Sequence, residues 1–144
     1  MGKIKITKNL LDEYRKTKVE IPLLELELHD MWTTESGLGN SVILNGKDGS
    51  KKPETVVGFD QERYDRRKQI LQYKKEKART VEQWIDSIED VETRMVFKMY
   101  YTKGLTFETI SIKLGRIRNG NYNRSGDYIR MYIRDKFLKE NEIF

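Results

Sequence analysis

The residues best suited to chemistry in this chain are basic and polar residues near its C-terminal end. From Lys113 to Lys139 there are eight lysines or arginines against two acids, Asp127 and Asp135, whereas the formal net charge of all 144 residues is only +5. Arginine pairs with phosphate oxygens and with guanine edges, and a flexible apolar side chain such as that of Met131 can contact a thymine methyl group. The segment therefore predicts contacts with nucleic acid, although a solvated basic helix on a small bundle would have the same charge.

The candidate contact residues can be divided by role. Five arginines are candidate phosphate contacts: Arg116, Arg118, Arg124, Arg130 and Arg134. Four residues are candidates for contacts with base edges: Asp127, Tyr128, Met131 and Arg134. Asn121 and Ser125 complete the candidate set, and Ser125 can also cap a helix that runs from Gly126 to about Leu138.

That helix has two different sides when its residues are placed 100° apart. One side holds apolar residues: Ile129, Tyr132, Ile133 and Phe137. The other side holds Asp127, Arg130, Met131 and Arg134. We expect the first side to be buried and the second side to enter the major groove of a duplex.

Two shorter helices precede this segment and must position it. The first has one apolar face: Val91, Met95, Val96, Met99 and Tyr100. Gly104 follows Lys103, as expected where a helix ends in a left-handed residue. Thr106 can then cap a short helix from Phe107 to Leu114, which Gly115 ends. A helix, a glycine turn, a short helix and a basic helix in this order predict a helix-turn-helix.

Residues 93–115, TRMVFKMYYTKGLTFETISIKLG, resemble the DNA-binding region of sigma factors (their region 4) and of phage activators of the RinA/ArpU type. The order of the predicted elements resembles the activators over nearly the whole chain, although the residue match is confined to the C-terminal third. The resemblance implies a regulator that activates late, packaging-related genes of phages in Gram-positive hosts, with host RNA polymerase as a possible partner. In those families the recognition helix follows the Leu-Gly turn within a few residues. Here residues 116–124 intervene and leave the start of that helix open.

The rest of the chain predicts two long amphipathic helices. Residues 8–35 carry an apolar seam in steps of three and four, interrupted by Pro22, where we expect a kink or a break. The members of this seam are Leu10, Tyr14, Thr17, Ile21, Leu24, Leu28 and Met31. A second helix begins at Asp60 and reaches about Ser87, and its seam consists of Tyr64, Leu71, Ala78, Val81, Ile85 and Ile88. Glycines and asparagines in residues 36–59 predict a loop between the two helices.

Catalytic and metal-binding chemistry has few candidate residues. The chain contains no cysteine and one histidine, His29, which excludes disulfides, thiolate metal sites and pairs of a cysteine nucleophile with histidine. Glu25, Glu27 and Asp30 do not converge on one helical face, and no glycine-rich phosphate loop is present. No apolar run approaches the roughly 18 residues of a membrane span. We therefore expect no enzymatic activity, no cofactor, no metal and no membrane contact, and a cytoplasmic location, which the resemblance places in a bacterial host cell.

Together these features predict an all-α fold in two parts. Residues 1–89 form an antiparallel, coiled-coil-like helical hairpin that builds a homo-oligomer, with a dimer favoured, and residues 90–144 form the helix-turn-helix. The predicted function is a transcriptional regulator that binds specific double-stranded DNA. Two alternatives stay open: a phage small-terminase-like subunit that recognises DNA for packaging, and an adaptor whose basic face binds an acidic protein.

Overall fold

Helices provide the regular structure of this protein. The computed structural model describes residues 4–35, 60–118, 120 and 124–144, and within these ranges there is no strand, so the predicted all-α class is confirmed. In the described ranges the α-helices are Lys8–Asp12, Tyr14–Asp30, Gln61–Asp86, Val91–Phe97, Phe107–Ile117, Gly126–Tyr128 and Lys136–Glu140. The π-helical segments of the same ranges are Met31–Glu35, Lys98–Thr102 and Ile129–Asp135. In the described ranges no helix is both long and apolar enough to cross a membrane. The predicted loop at 36–59 lies outside the described residues.

Contacts within the chain group its residues into two units. One unit consists of Met1–Thr17 together with Glu76–Phe144, and the other is Lys18–Lys75. We predicted a boundary between residues 89 and 90, which divides the proposed oligomerisation region from the proposed DNA-binding region. These two units are defined by contacts and not by function, so the predicted boundary stays a prediction.

The unit Lys18–Lys75 has a small apolar core flanked by ion pairs. Leu28, Met31 and Leu71 are buried, and three half-buried residues of the predicted seams pack against them: Ile21, Leu24 and Tyr64. The Nζ of Lys74 lies 2.8 Å from the Oε1 of Glu20. The Nη1 of Arg67 lies 3.3 Å from the Oε2 of Glu27. The seam residues of this unit are therefore covered within one chain.

Pro22 lies inside the helix Tyr14–Asp30, so a break at that residue, one of the two alternatives that we predicted, does not occur. The interruption falls earlier, at Glu13, which caps the end of the helix Lys8–Asp12. Because Pro22 is exposed, solvent can satisfy the carbonyl group that its missing N–H leaves without a donor.

The other unit holds the larger core. Val96, Met99, Ile110, Ile129 and Ile133 are buried together. Four half-buried residues pack against this cluster: Tyr100, Leu105, Phe107 and Leu114. The cluster brings the helices Val91–Phe97 and Phe107–Ile117 against the residues that follow Gly126.

The helix Val91–Phe97 and the π-helical segment after it are covered on more than one side. Val96 and Met99 belong to the core cluster, whereas the ring of Phe97 lies 5.7 Å from that of Trp84 and 5.3 Å from that of Phe137. The predicted single apolar face is wrong at its beginning, since Val91 is 62% exposed and Met95 is 36% exposed. The sequence prediction assumed that the apolar residues of this helix form one face. That assumption fails because the helix packs against partners on two sides.

Candidate nucleic-acid interface

The helix Phe107–Ile117 begins as predicted and ends later than predicted. The side chain of Thr106 accepts a hydrogen bond from the backbone N–H of Thr109 at 3.1 Å, which confirms the predicted cap. Gly115 does not end the helix. Beyond the end of this helix, Gly120 is left-handed, with φ of +80°, and its N–H donates to the carbonyl of Gly115 at 2.8 Å. Three more residues, Gly115, Arg116 and Ile117, are therefore helical.

The beginning of the C-terminal helical segment is held against this helix. The side chain of Ser125 accepts a hydrogen bond from the N–H of Tyr128 at 3.1 Å, which confirms the predicted cap. The hydroxyl of Ser111 donates to the carbonyl of Arg124 at 2.6 Å. Gly126 is buried, and a Cβ at that position would lie 3.0 Å from the backbone nitrogen of Glu108. This close approach fixes where the segment starts, which the sequence left open.

The inward side of the segment is only partly the predicted one. Ile129 and Ile133 are buried, as predicted. Tyr132 was expected to face inward and is 57% exposed. The segment Ile129–Asp135 is π-helical, with hydrogen bonds between residues five apart, so each turn holds about one residue more than an α-helical turn. In this wider turn Ile133 and Arg134 both face the core, and Tyr132 faces outward.

Arg134 is buried, so our prediction that it lies on the outward side of the segment is wrong. Its side chain donates from Nη1 to the hydroxyl of Tyr101 at 3.3 Å and from Nε to the Oδ1 of Asp135 at 2.6 Å. Its guanidinium carbon lies 5.2 Å from the ring centres of both Tyr100 and Phe107. An arginine enclosed by two rings, a hydroxyl and a carboxylate holds helices together rather than reaching for a ligand.

The protonation of this buried group is well defined. Burial by itself lowers the pKa of Arg134, but the hydrogen bond and charge interaction with Tyr101 and those with Asp135 outweigh it, and the net pKa is raised. Burial also raises the pKa of the Tyr101 hydroxyl, which Arg134 partly opposes. At neutral pH the arginine is therefore a cation and the tyrosine is neutral.

The outward side of the segment carries a mixed polar and aromatic surface, which we call the outer strip. Its members are exposed: Asp127, Tyr128, Met131, Tyr132 and Lys136. The rings of Tyr128 and Tyr132 are 5.0 Å apart, and the guanidinium of Arg124 lies 5.0 Å from the ring centre of Tyr128. A groove of about 230 Å³ adjoins this stack, with Glu92 and Lys136 on its wall. Tyr132 and Lys136 were not among the predicted contacts.

Besides Arg134, two of the predicted arginine contacts are paired with acids. The Nη1 of Arg124 lies 2.7 Å from the Oε1 of Glu92, and the two side chains are 40% and 25% exposed. The two terminal nitrogens of Arg130 lie 3.7 Å from Asp127 and 3.7 Å from Asp135. Glu92 was missed because 32 residues separate it from Arg124, and no local pattern connects them.

The remaining predicted contacts take different positions. Arg116 and Arg118 are exposed at the end of the helix Phe107–Ile117. The hydroxyl of Ser125 is engaged in the helix cap. Asn121 lies outside the described residues. The structure therefore brings Arg124, Asp127, Tyr128, Met131 and Arg130 onto one helical segment and its start, and it removes Arg134 from the set.

In comparisons with known proteins, no protein family, curated protein or solved structure matches the chain.

Proposed function

We propose that this protein binds double-stranded DNA through the outer strip and regulates transcription. The observation that carries the proposal is the exposure of Asp127, Tyr128, Met131 and Tyr132 on a helical segment whose opposite side, Ile129 and Ile133, is anchored in the core. A helix anchored on one side and polar on the other can lie in the major groove with its outer residues against base edges.

The interpretation as a helix-turn-helix is supported by the order and packing of the elements. Val96, Ile110 and Ile129 come from three successive helical segments and share one core. The cap at Thr106 and the cap at Ser125 set the starts of the second and third segments. In this interpretation the third segment is the recognition helix.

Phosphate contacts come from the basic residues around that segment. Arg116 and Arg118 are exposed at the end of the preceding helix, and Lys136 is exposed on the outer strip. Arg124 and Arg130 can contribute only by exchanging a carboxylate for a phosphate, because both are paired with acids. Exchange of one anion for another yields less free energy than pairing a solvated arginine, so these two arginines add modestly to affinity.

The regulatory role rests on the resemblance of residues 93–115 to sigma-factor region 4 and to RinA/ArpU-type activators. On that basis the proposed target is the control region of phage late genes, and host RNA polymerase is the proposed protein partner. The base contacts proposed here are Asp127, Tyr128 and Met131, without Arg134.

The test is a binding titration with duplex DNA at several salt concentrations, combined with selection of bound sites from random duplexes. The plot of log affinity against log salt falls as salt is added, and Arg116→Ala should make this fall less steep by about one unit of slope. The selected sequence should stay unchanged. Met131→Ala should leave the slope unchanged and relax the preference at one base position.

Arg66 provides the matched control, because it is an exposed arginine on the helix Gln61–Asp86, with a side chain 63% exposed. Arg66→Ala should leave both the slope and the selected sequence unchanged. Absence of duplex binding at low salt would refute the proposal. A salt dependence that became less steep for Arg66→Ala and not for Arg116→Ala would assign the DNA-binding surface to the basic helix Gln61–Asp86 instead.

A further inference from the structure

The two tyrosines of the outer strip present aromatic surface as well as hydroxyl groups. Tyr128 is 37% exposed and Tyr132 is 57% exposed, and their rings lie 5.0 Å apart with an angle of 38° between them. The edge of a base pair is recognised by side chains that make two hydrogen bonds in its plane, such as those of arginine, asparagine and glutamine. A tyrosine ring offers a flat apolar face instead. The edge of a base pair makes no use of that face, whereas the face of a base can stack on it.

The two rings continue a stack that begins with Arg124. The guanidinium carbon of Arg124 lies 5.0 Å from the ring centre of Tyr128, and Tyr132 follows in the π-helical segment Ile129–Asp135. Aromatic rings beside an arginine are the arrangement on which proteins stack unpaired nucleobases. More than half of the surface of Tyr132 is exposed, so a further flat ring can be added to the stack there.

A groove beside the rings has a size that suits one base. Its volume is about 230 Å³, which is below the roughly 300–1,000 Å³ of sites that enclose a drug-sized ligand. Both tyrosines line the groove, together with apolar surface from Ile133 and Phe137. Thr93 of the helix Val91–Phe97 lines it as well. A base that is paired and stacked within a duplex cannot enter this space, so the groove suits a base that has left the stack.

The charged residues around the groove balance each other. Arg124 and Lys136 are matched by Glu92 and Glu140, and the Nη1 of Arg124 lies 2.7 Å from the Oε1 of Glu92. Such a groove offers little net attraction to a phosphate, so a neutral planar group suits it better. A carboxylate at its edge can also accept a hydrogen bond from the exocyclic amino group of a base.

We propose that Tyr132 and the groove beside it bind one unpaired nucleobase by stacking. The inference rests on the proposed function in one respect, which is that nucleic acid lies on the outer strip. It adds that the protein prefers DNA in which a base is free to leave the helix. Every base has an aromatic face, so the preference should not depend on which base is unpaired. The charges around the groove balance, so the preference should not depend on salt concentration either.

The first test compares a fully paired duplex with the same duplex carrying one extra, unpaired base, in anisotropy titrations with the full chain. The natural protein should bind the bulged duplex about fivefold or more tightly than the paired one, at low and at moderate salt. A bulge also bends the duplex, so a third probe has an abasic site in place of the extra base and should bind no better than the paired duplex. Equal affinity for all three probes, or an equal gain from the abasic bulge, would overturn the inference.

The second test uses substitutions of Tyr132 and measures the ratio of the affinities for the bulged and the paired duplex. Tyr132→Phe keeps the ring and should keep the preference, whereas Tyr132→Leu removes the aromatic face and should bring the ratio to about one. Tyr73→Leu is the matched control, because Tyr73 is 48% exposed on the helix Gln61–Asp86, and it should leave the ratio unchanged. A ratio that Tyr132→Leu did not change would contradict the role of this ring.

These titrations distinguish a failure of the inference from a failure of the proposed function. Binding of the paired duplex without a gain from the unpaired base would overturn the inference and leave the proposed function standing. Binding of the bulged duplex and of a single-stranded oligothymidine, but not of the paired duplex, would do the reverse. Binding of none of these probes at low salt would overturn both.

Discussion

Substitution of Arg134 by alanine should destabilise the fold without altering which DNA sequence is selected. The side chain is 10% exposed and donates to the hydroxyl of Tyr101 and to Asp135, between the rings of Tyr100 and Phe107. A hydrogen bond to a charged group contributes about 1.5–3 kcal/mol, and a cation over an aromatic ring adds about 0.5–1 kcal/mol. The ion pair with Asp135 adds under about 1 kcal/mol, because that carboxylate is 43% exposed and solvent screens it.

We therefore expect Arg134→Ala to lower the free energy of unfolding by about 3 kcal/mol. The measurement is urea denaturation followed by circular dichroism, with the shift of the midpoint converted through the slope. Arg130→Ala is the control, because Arg130 lies on the same helical segment with a side chain 42% exposed and should lose less than about 1 kcal/mol.

A conservative replacement sharpens the test. Arg134→Lys keeps the positive charge but cannot donate to Tyr101 and Asp135 together, so it should recover only part of the loss. An Arg134→Ala variant as stable as the natural protein, with a changed DNA preference, would refute the structural role that the burial of Arg134 indicates.

Three further changes test neighbouring contacts. Glu92→Gln should raise affinity for duplex DNA about two- to fivefold in anisotropy titrations, because Arg124 would no longer have to leave the Glu92 carboxylate in order to pair with a phosphate. An unchanged affinity would show that Arg124 does not contact DNA. Gly126→Ala should lower the free energy of unfolding by about 1 kcal/mol, because the added Cβ would lie only 3.0 Å from the backbone nitrogen of Glu108. Without that contact, replacing glycine by alanine in a helix would be expected to stabilise the fold. Stabilisation in a denaturation curve would therefore show that the backbone shifts to make room for the Cβ. Asp90 caps the helix Val91–Phe97, and the hydrogen bonds that its carboxylate accepts from the N–H and the hydroxyl of Thr93 hold its pKa below the ordinary value of 3.8. The stability that this cap adds is therefore present above pH 3.8 and is lost as the pH falls below 3.8 through the folded-state pKa. Asp90→Asn still caps but does not titrate, so it should lose less stability in acid denaturation below that pH, and an equal loss would assign the acid sensitivity elsewhere.

Signals that act over a few residues predicted the structure well. The caps at Thr106 and Ser125 lie where a hydroxyl residue precedes an apolar-periodic run. The seams of the long helices also predicted which residues would be buried, including Leu28 and Leu71. Helix caps depend on residues adjacent in sequence, and apolar seams depend on the regular period of an α-helix. Both can therefore be predicted from a single sequence.

Features that depend on partners distant in sequence were missed. The pairing of Arg124 with Glu92 and that of Arg134 with Tyr101 each join residues about thirty positions apart, 32 and 33 respectively. The burial of Arg134 also depends on the wide turn of Ile129–Asp135, whereas the prediction placed every residue 100° after the last. An arginine on the outside of an assumed α-helix and an arginine on the inside of a π-helical turn have the same sequence signature.

The wide turn of Ile129–Asp135 also makes the length of this segment adjustable. An α-helix covering the same rise would need about one residue fewer, so a deletion within the turn could be absorbed by a return to ordinary pitch. The residues after the deletion would keep nearly the same angular positions, because a full turn is completed with either pitch, and Leu138 and Ile143, both buried, would keep their places in the core. A shorter version of this segment would thus stay helical and keep the attachment of its C-terminal end.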